Sequence, residues 1–368
     1  MKLTPGELYF IREIDVRTGQ LTPYVKIGIV REKVGEERTS EDRALEHQTG
    51  NPRRLFVDFI IKTPAVSEIE NIIHNLNAEE RIYGEWFDFT DEQLGLVKNA
   101  AKELVRVATA NKEKFALAEV LAEKASKPEM VKPTEEITQW HSKLLTAEIR
   151  INECNSLQAQ IKTVFKGILT EPDQTATQNE RQNALAPFVK VQEKKMKMEF
   201  NVDAFASERA DLYGEFTRVT FTAPKGAFTI TRPKNFIASL EKVDPDLYQF
   251  SILAKEFLSK FESKKATQED LHVISLKLLG FEAHASWDKE IALINLKVFC
   301  QDYSGIEGIC KWNRQSKEVA KFDKDAFIKS HPKIAEKYMV EVQPSASLIV
   351  QRKRTYSSKK PPAAKEQK

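Results

Sequence analysis

Six side chains before residue 75 have types that suit hydrolysis of a phosphodiester: Tyr9, Lys26, Arg43, His47, Glu70 and His74. That reaction needs an activated water, a cation near the scissile phosphate and help for the leaving oxygen. Tyr9 is a weak base until a nearby cation lowers its pKa, and Lys26 is of the right type to do that. Glu70 can bind a hard cation, Mg2+ or Mn2+, through one or two oxygens while the ion keeps its waters. Arg43 can neutralise charge on phosphate through its fork of donors. His47 lies four residues after Arg43, on the same helix face, where it could pass a proton. His74 stands in the same relation to Glu70. Each residue has a plainer reading. A strand tyrosine usually packs and a strand lysine is usually solvated. Arg43 with Glu46 or His47 could be a surface cluster, and Glu70 with His74 an exposed pair. Order and spacing together carry the case.

The elements that must position these groups are legible in outline. Residues 8–14 and 24–30 alternate and are rich in β-formers, with a Gly- and Pro-containing stretch between them. They read as a hairpin that projects Tyr9 and Lys26. Ser40 is a candidate N-cap for a short helix carrying Arg43 and His47, ended by Gly50-Asn51-Pro52. Residues 55–61 read as a third strand. Residues 67–76 read as a helix with Ile69, Ile72, Ile73 and Leu76 on one side, carrying Glu70 and His74. Gly84-Glu85-Trp86-Phe87 reads as a turn followed by core aromatics, and residues 91–124 as one long helix. Pro128 and Pro133 bracket a break, taken as a domain boundary. A second long helix is expected over 135–169, with Ile137, Trp140, Leu144, Ile149 and Ile151 near helical spacing. Residues 171–186 are polar and read as a loop or mobile insert.

Taken in order, the N-terminal motifs resemble the GIY-YIG nuclease superfamily over about the first 95 residues. The phage-associated branch that reads K-I-G in place of Y-I-G is the nearer match. Its pattern appears as Lys26-Ile27-Gly28, Arg43 through Gln48-Thr49-Gly50-Asn51-Pro52, Glu70 through His74, and Gly84 through Phe87. The resemblance implies Tyr9 at the first tyrosine position, Arg43 as the phosphate-facing arginine and Glu70 as the metal ligand. It places His47 at the arginine-plus-four position. Glu7-Leu8-Tyr9 stands where G-I-Y would, and Lys26 replaces the second tyrosine. These departures leave the base open, along with a core that binds without cutting.

The remainder of the chain is less legible. Phe200 to Phe205 and Phe322 to Phe327 both read F-x-x-D-A-F, each followed by a β-rich stretch ending in basic residues. This suggests a duplication. The segment from Gly305 through Trp312, Arg314, Phe322, His331-Pro332 and Tyr338 resembles the accessory tail of YqaJ-type phage exonucleases, with no D…E-x-K core before it. That likeness makes Trp312 and Arg314 candidates to stack on or grip nucleic acid. A core aromatic is the competing reading of Trp312. Residues 1–100 hold 13 Lys and Arg against 18 Asp and Glu, so the rest of the chain carries the basic excess. Lys190, Lys194 and Lys195 before the first repeat, and Arg352 and Arg354 after the second, are therefore candidate phosphate contacts. Ordinary scatter of surface charge is the alternative.

The expected fold is α+β: a small three-stranded sheet flanked by helices, then a helix-rich region with two short β-containing repeats. The expected divisions are 1–127, 134–240, 241–356 and a disordered tail, 357–368. No apolar run approaches a membrane span, and the N-terminus lacks the apolar stretch of a signal peptide. Three cysteines without C-x-x-C spacing suggest a reducing cytoplasm and argue against a cysteine zinc site. The expected activity is that of a Mg2+- or Mn2+-dependent endonuclease on DNA in phage, mobile-element or defence biology. The rival is a nucleic-acid- or partner-binding protein with an inactive core. The sequence does not separate DNA from RNA, and it leaves room for a homo-oligomer.

Overall fold

The computed structural model describes residues 3–353, apart from 34, 36, 171–177, 193–194, 223, 225, 234–235, 237, 263–264 and 343–346. The fold is mixed α+β. Strands β1 (Gly6–Ile14) and β2 (Leu21–Arg31) form the antiparallel hairpin. Helix α1 (Ser40–Gln48) leads to β3 (Arg54–Thr63). Helix α2 (Val66–Leu76) leads to a tight hairpin of β4 (Arg81–Tyr83) and β5 (Trp86–Asp88). The five strands make one sheet in the order β3-β1-β2-β5-β4. The expected three-stranded sheet is thus two strands short. The added strands are three residues each, too short to show alternation, and Gly84 turns between them at φ 57°.

Side-chain alternation divides the sheet into two faces. Leu8, Phe10, Val25, Ile27 and Phe87 face the large core with Ile69, Ile72 and Ile73 of α2. Tyr9, Ile11 and Val30 face a smaller cluster with Ala44 of α1 and Leu55. Phe87 is fully buried, whereas its neighbour Trp86 is half-buried on the opposite face, because adjacent strand residues cannot share one core. Thr39, not Ser40, caps α1. Its hydroxyl accepts from Asp42 N, and the Asp42 carboxylate accepts from Thr39 N at 2.9 Å. Ser40 is buried and donates to the Glu7 carboxylate at 2.7 Å.

The expected helix over 91–124 is two helices, α3 (Asp91–Ala110) and α4 (Lys112–Ala122). Asn111 separates them and donates its side-chain amide to Val107 O at 2.9 Å, a local bond that competes with helix continuation. Then follow α5 (Glu135–Thr170), α6 (Gln178–Leu185), β6 (Val189–Gln192), β7 (Lys197–Phe200), α7 (Val202–Glu208), α8 (Ala210–Glu215), β8 (Thr217–Phe221) and β9 (Thr229–Ile230). The second half runs α9 (Leu240–Val243), α10 (Pro245–Glu262), α11 (Gln268–Cys300), β10 (Gly305–Ile306), β11 (Cys310–Lys311) and β12 (Glu318–Phe322). It ends with α12 (Lys324–Ser330), α13 (Pro332–Glu336), β13 (Met339–Val342) and β14 (Ser347–Val350).

The divisions expected at 127/134 and 240/241 do not separate packed units. Helix α11 is apolar around most of its circumference and is buried along its length, as such a helix must be. Its Ala283, Trp287, Ile291 and Ile294 complete the core of the N-terminal sheet. Its Leu271, Ile274 and Leu278 pack with Leu157, Ile161 and Phe165 of α5 and Leu247 and Ala254 of α10. The two repeats are likewise interlocked. β7 of the first copy pairs with β13 of the second, and β8 of the first with β12 of the second. The registers mirror one another: Phe200 opposes Met339, and Phe322 opposes Thr217. Asn201 and Asp323 cap the equivalent helices, and Phe205 and Phe327 meet at 4.3 Å in one shared core. The repeat is real in three dimensions, but neither copy closes without the other.

Candidate active site

Tyr9 sits directly opposite Gly28 on the paired strands. A Cβ on Gly28 would lie 2.5 Å from the Tyr9 hydroxyl oxygen, so the tyrosine ring crosses its neighbour only because that neighbour is glycine. The Tyr9 ring is fully buried, and its hydroxyl is hydrogen-bonded to the Arg43 guanidinium from α1. Arg43 also donates to Glu46 at 2.6 Å. Burial pushes the Tyr9 phenol up, and Arg43 offsets this only in part. The expectation that Lys26 would make Tyr9 a base is therefore corrected. Tyr9 is a neutral phenol that orients Arg43.

Lys26 is buried and ion-paired with Glu85, which the turn between β4 and β5 places beside it. Burial pushes the Glu85 carboxyl up, but the bond from Lys26 outweighs it and holds Glu85 below the usual range. His47 ends α1 within electrostatic reach of this pair. Burial, with Lys26 and Arg43, holds its imidazole below its ordinary value, so it is neutral near pH 7. Its Nε2 is buried without a hydrogen-bond partner among the described residues.

Glu70 arrives from α2, which packs on the sheet face opposite Tyr9. The two still meet, because β5 pairs with β2 only from Tyr24 to Lys26. Ile27 N–H still donates to Glu85 O, and beyond it a cleft of about 370 Å³ opens beside Ile29, Val30 and Arg31 of β2. Tyr9, Arg31, Arg38, Arg43, Glu70 and Glu85 all line it. Burial and the Glu85 charge push the Glu70 carboxyl up to about 7, against the opposing pull of Arg31, Lys26 and Arg81. A carboxylate so reluctant to ionise alone is one that a cation would relieve. Among the described residues no group of three His, Cys, Asp or Glu side chains could hold a metal ion unaided. A hard cation that keeps most of its waters needs only one or two carboxylates, and Glu70 with Glu85 fits that demand.

His74 does not join the cleft. It is buried between α2 and the sheet, donates Nε2–H to Ile27 O at 3.1 Å, and lies 5.2 Å from the Phe87 ring. Burial pushes it down to about 4, so it stays neutral and ties α2 to β2. Of the six N-terminal candidates, Tyr9, Arg43 and Glu70 line the cleft, Lys26 and His47 stand behind it, and His74 is a packing residue.

The C-terminal candidates scatter. Trp312 and Arg314 are corrected outright, being 2% and 0% exposed. The Arg314 guanidinium lies 4.0 Å from the Trp312 ring and donates to Leu121 O at 2.9 Å, Tyr303 O at 3.2 Å and Gln301 O. These carbonyls lie at and just beyond the C-terminal ends of α4 and α11, where the helix dipole favours a cation. Lys190 and Lys195 are exposed, Lys190 on the β6–β14 ribbon and Lys195 just before β7. Arg352 is exposed just beyond the same ribbon. Lys194 and Arg354 lie outside the described residues.

Four charged cleft residues escaped the sequence reading as functional: Arg31, Lys33, Arg38 and Glu85. Glu85 had a signal, since it stands inside the G-E-W-F motif. Arg31, Lys33 and Arg38 stand in none of the motifs. Comparison with family models, curated proteins and solved structures returned no match to this chain.

Proposed function

We propose that this chain is a divalent-metal-dependent endonuclease that hydrolyses DNA phosphodiester bonds. The observation that carries the reading is the cleft itself: Arg31, Arg38 and Arg43 line it together with Glu70, Glu85 and the buried Tyr9, beside the part of β2 that lies beyond its pairing with β5. Arginine forks suit the non-bridging oxygens of a phosphate. Arg43, held by the Tyr9 hydroxyl and by Glu46, binds the scissile phosphate and meets the charge that develops there. Glu70 and Glu85 would hold a Mg2+ or Mn2+ ion. When bound, the ion supplies Lewis-acid polarisation of the phosphate and neutralisation of the leaving oxygen. Lys26 keeps Glu85 ionised and in place. His47 stands neutral behind the cleft, where its unpartnered Nε2 can accept a proton relayed from the attacking water.

The test is incubation of purified protein with supercoiled plasmid and Mg2+, alongside Glu70→Ala. Nicked or linear product from the unaltered protein alone supports the reading. No product across Mg2+ and Mn2+ points instead to a core that binds without cutting.

A further inference from the structure

The C-terminal end of the described chain returns to the nuclease-like core. Gln351 is clamped three ways: its N–H donates to Phe188 O at 2.8 Å, its carbonyl accepts from His272 Nε2 at 2.9 Å, and its side-chain amide donates to Ala186 O at 3.1 Å. The next two residues are thereby delivered to the β4–β5 hairpin. Lys353 Nζ lies 5.1 Å from the centre of the Tyr83 ring. Tyr83 ends β4 beside the Gly84 turn and is 71% exposed. Arg81, on the same strand, is half-buried and feels the charges of Glu85, Glu70 and Arg352. Arg352 is exposed and lines a hollow with Glu68, Glu282 and Glu290.

We propose that Tyr83, Arg352 and Lys353 form a subsite for an unpaired nucleic-acid strand leaving the cleft, with a base stacked on Tyr83 and backbone phosphates on the two cations. The placement rests on the nuclease reading for its direction. Arg81 and Arg352 repel one another, and Arg352 also lines the hollow with Glu68, Glu282 and Glu290. Lys353 stands half-buried at the exposed Tyr83 ring, and backbone phosphates passing the ring meet Lys353 and Arg352 in succession. The ring can stack only on a base that has left its duplex, so the strand is unpaired at this point. Arg81 carries the positive path from the cleft to the subsite.

The experiment measures binding of labelled single-stranded DNA and RNA oligonucleotides of one sequence, and of the DNA duplex. It uses the full chain, with EDTA present and across a KCl titration. Tyr83→Ala is expected to weaken single-strand binding about tenfold, with Tyr83→Phe near the unaltered protein and the duplex little affected. Arg352→Glu combined with Lys353→Glu is expected to flatten the salt dependence by about 1.4 in log–log slope, about 0.7 per lost phosphate contact. The DNA and RNA arms tell which strand is taken. Unchanged single-strand binding by both variants overturns the subsite, and leaves the nuclease reading intact if Glu70-dependent cleavage persists. Absence of cleavage with Tyr83-dependent binding retained would sink the nuclease reading and keep the subsite.

Discussion

Replacing Glu70 by glutamine should stabilise the metal-free protein, and the gain should depend on pH. The Glu70 carboxyl is pushed up to about 7 from its ordinary 4.5, first by burial and then by Glu85. A raised carboxyl pKa means that folding favours the protonated form. Below the unfolded value both states hold the proton, and Glu70 and its amide analogue differ little. Between the two values the folded chain keeps a proton that the unfolded chain gives up. Stability then falls with rising pH by about 1.4 kcal/mol per unit. Above the folded value the loss is complete, at about 3 kcal/mol before allowance for the partial exposure of the carboxyl. Glu70→Gln never ionises and escapes the loss. In EDTA, melting temperatures of the two proteins should agree near about pH 5 and diverge by several degrees near about pH 8, the variant being higher. Added Mg2+ should raise the native protein and leave the variant unmoved, since relief of the strained carboxylate is what the ion provides. A gain that is the same at every pH, or no gain at all, would refute the reasoning.

Arg43→Ala should lower cleavage by about 3 kcal/mol of transition-state stabilisation, on the order of a hundredfold in single-turnover rate. Gly28→Ala forces a methyl to 2.5 Å from the Tyr9 hydroxyl inside a closed cluster, and should cost about 1–3 kcal/mol in urea unfolding, with a matching loss of cleavage as Arg43 loses its anchor. Arg314→Leu removes a buried guanidinium from the carbonyls of Leu121, Tyr303 and Gln301, and should destabilise by about 3 kcal/mol in the same assay. Nucleic-acid affinity of the folded fraction of that variant should stay unchanged, because the side chain is not at the surface.

The sequence was most legible where the signal was local. The β1–β2 hairpin, α1, β3 and α2 stand close to where alternation and helical spacing put them. The boundary of α1 moved by one residue only because Thr39 and Asp42 make the capping box while Ser40 is taken by Glu7. Elements governed by distant contacts were not legible. β4 and β5 exist as strands because Lys26 and Tyr24 of β2 pair with Trp86 and Asp88, which three residues of pattern cannot announce. The F-x-x-D-A-F echo was readable as a repeat, yet its strand exchange depends on partners about a hundred positions away or more. Arg314 looked like a surface cation, and nothing local says that two helix ends would converge on it. In the site, residue type pointed to Tyr9, Arg43 and Glu70, which line one cleft. It did not announce that His74 turns inward to Ile27 O, or that burial raises the Tyr9 phenol.

The central claim is that the arginines and carboxylates gathered in the cleft beside β2 cut a phosphodiester. Single-turnover cleavage of a labelled DNA duplex at fixed Mg2+ tests it most directly, with the unaltered protein, Glu70→Ala and Arg43→Ala run together. The account predicts cleavage by the unaltered protein, no detectable product from Glu70→Ala, and a rate on the order of a hundredfold lower from Arg43→Ala with folding intact. Equal rates for Glu70→Ala and the unaltered protein would contradict it.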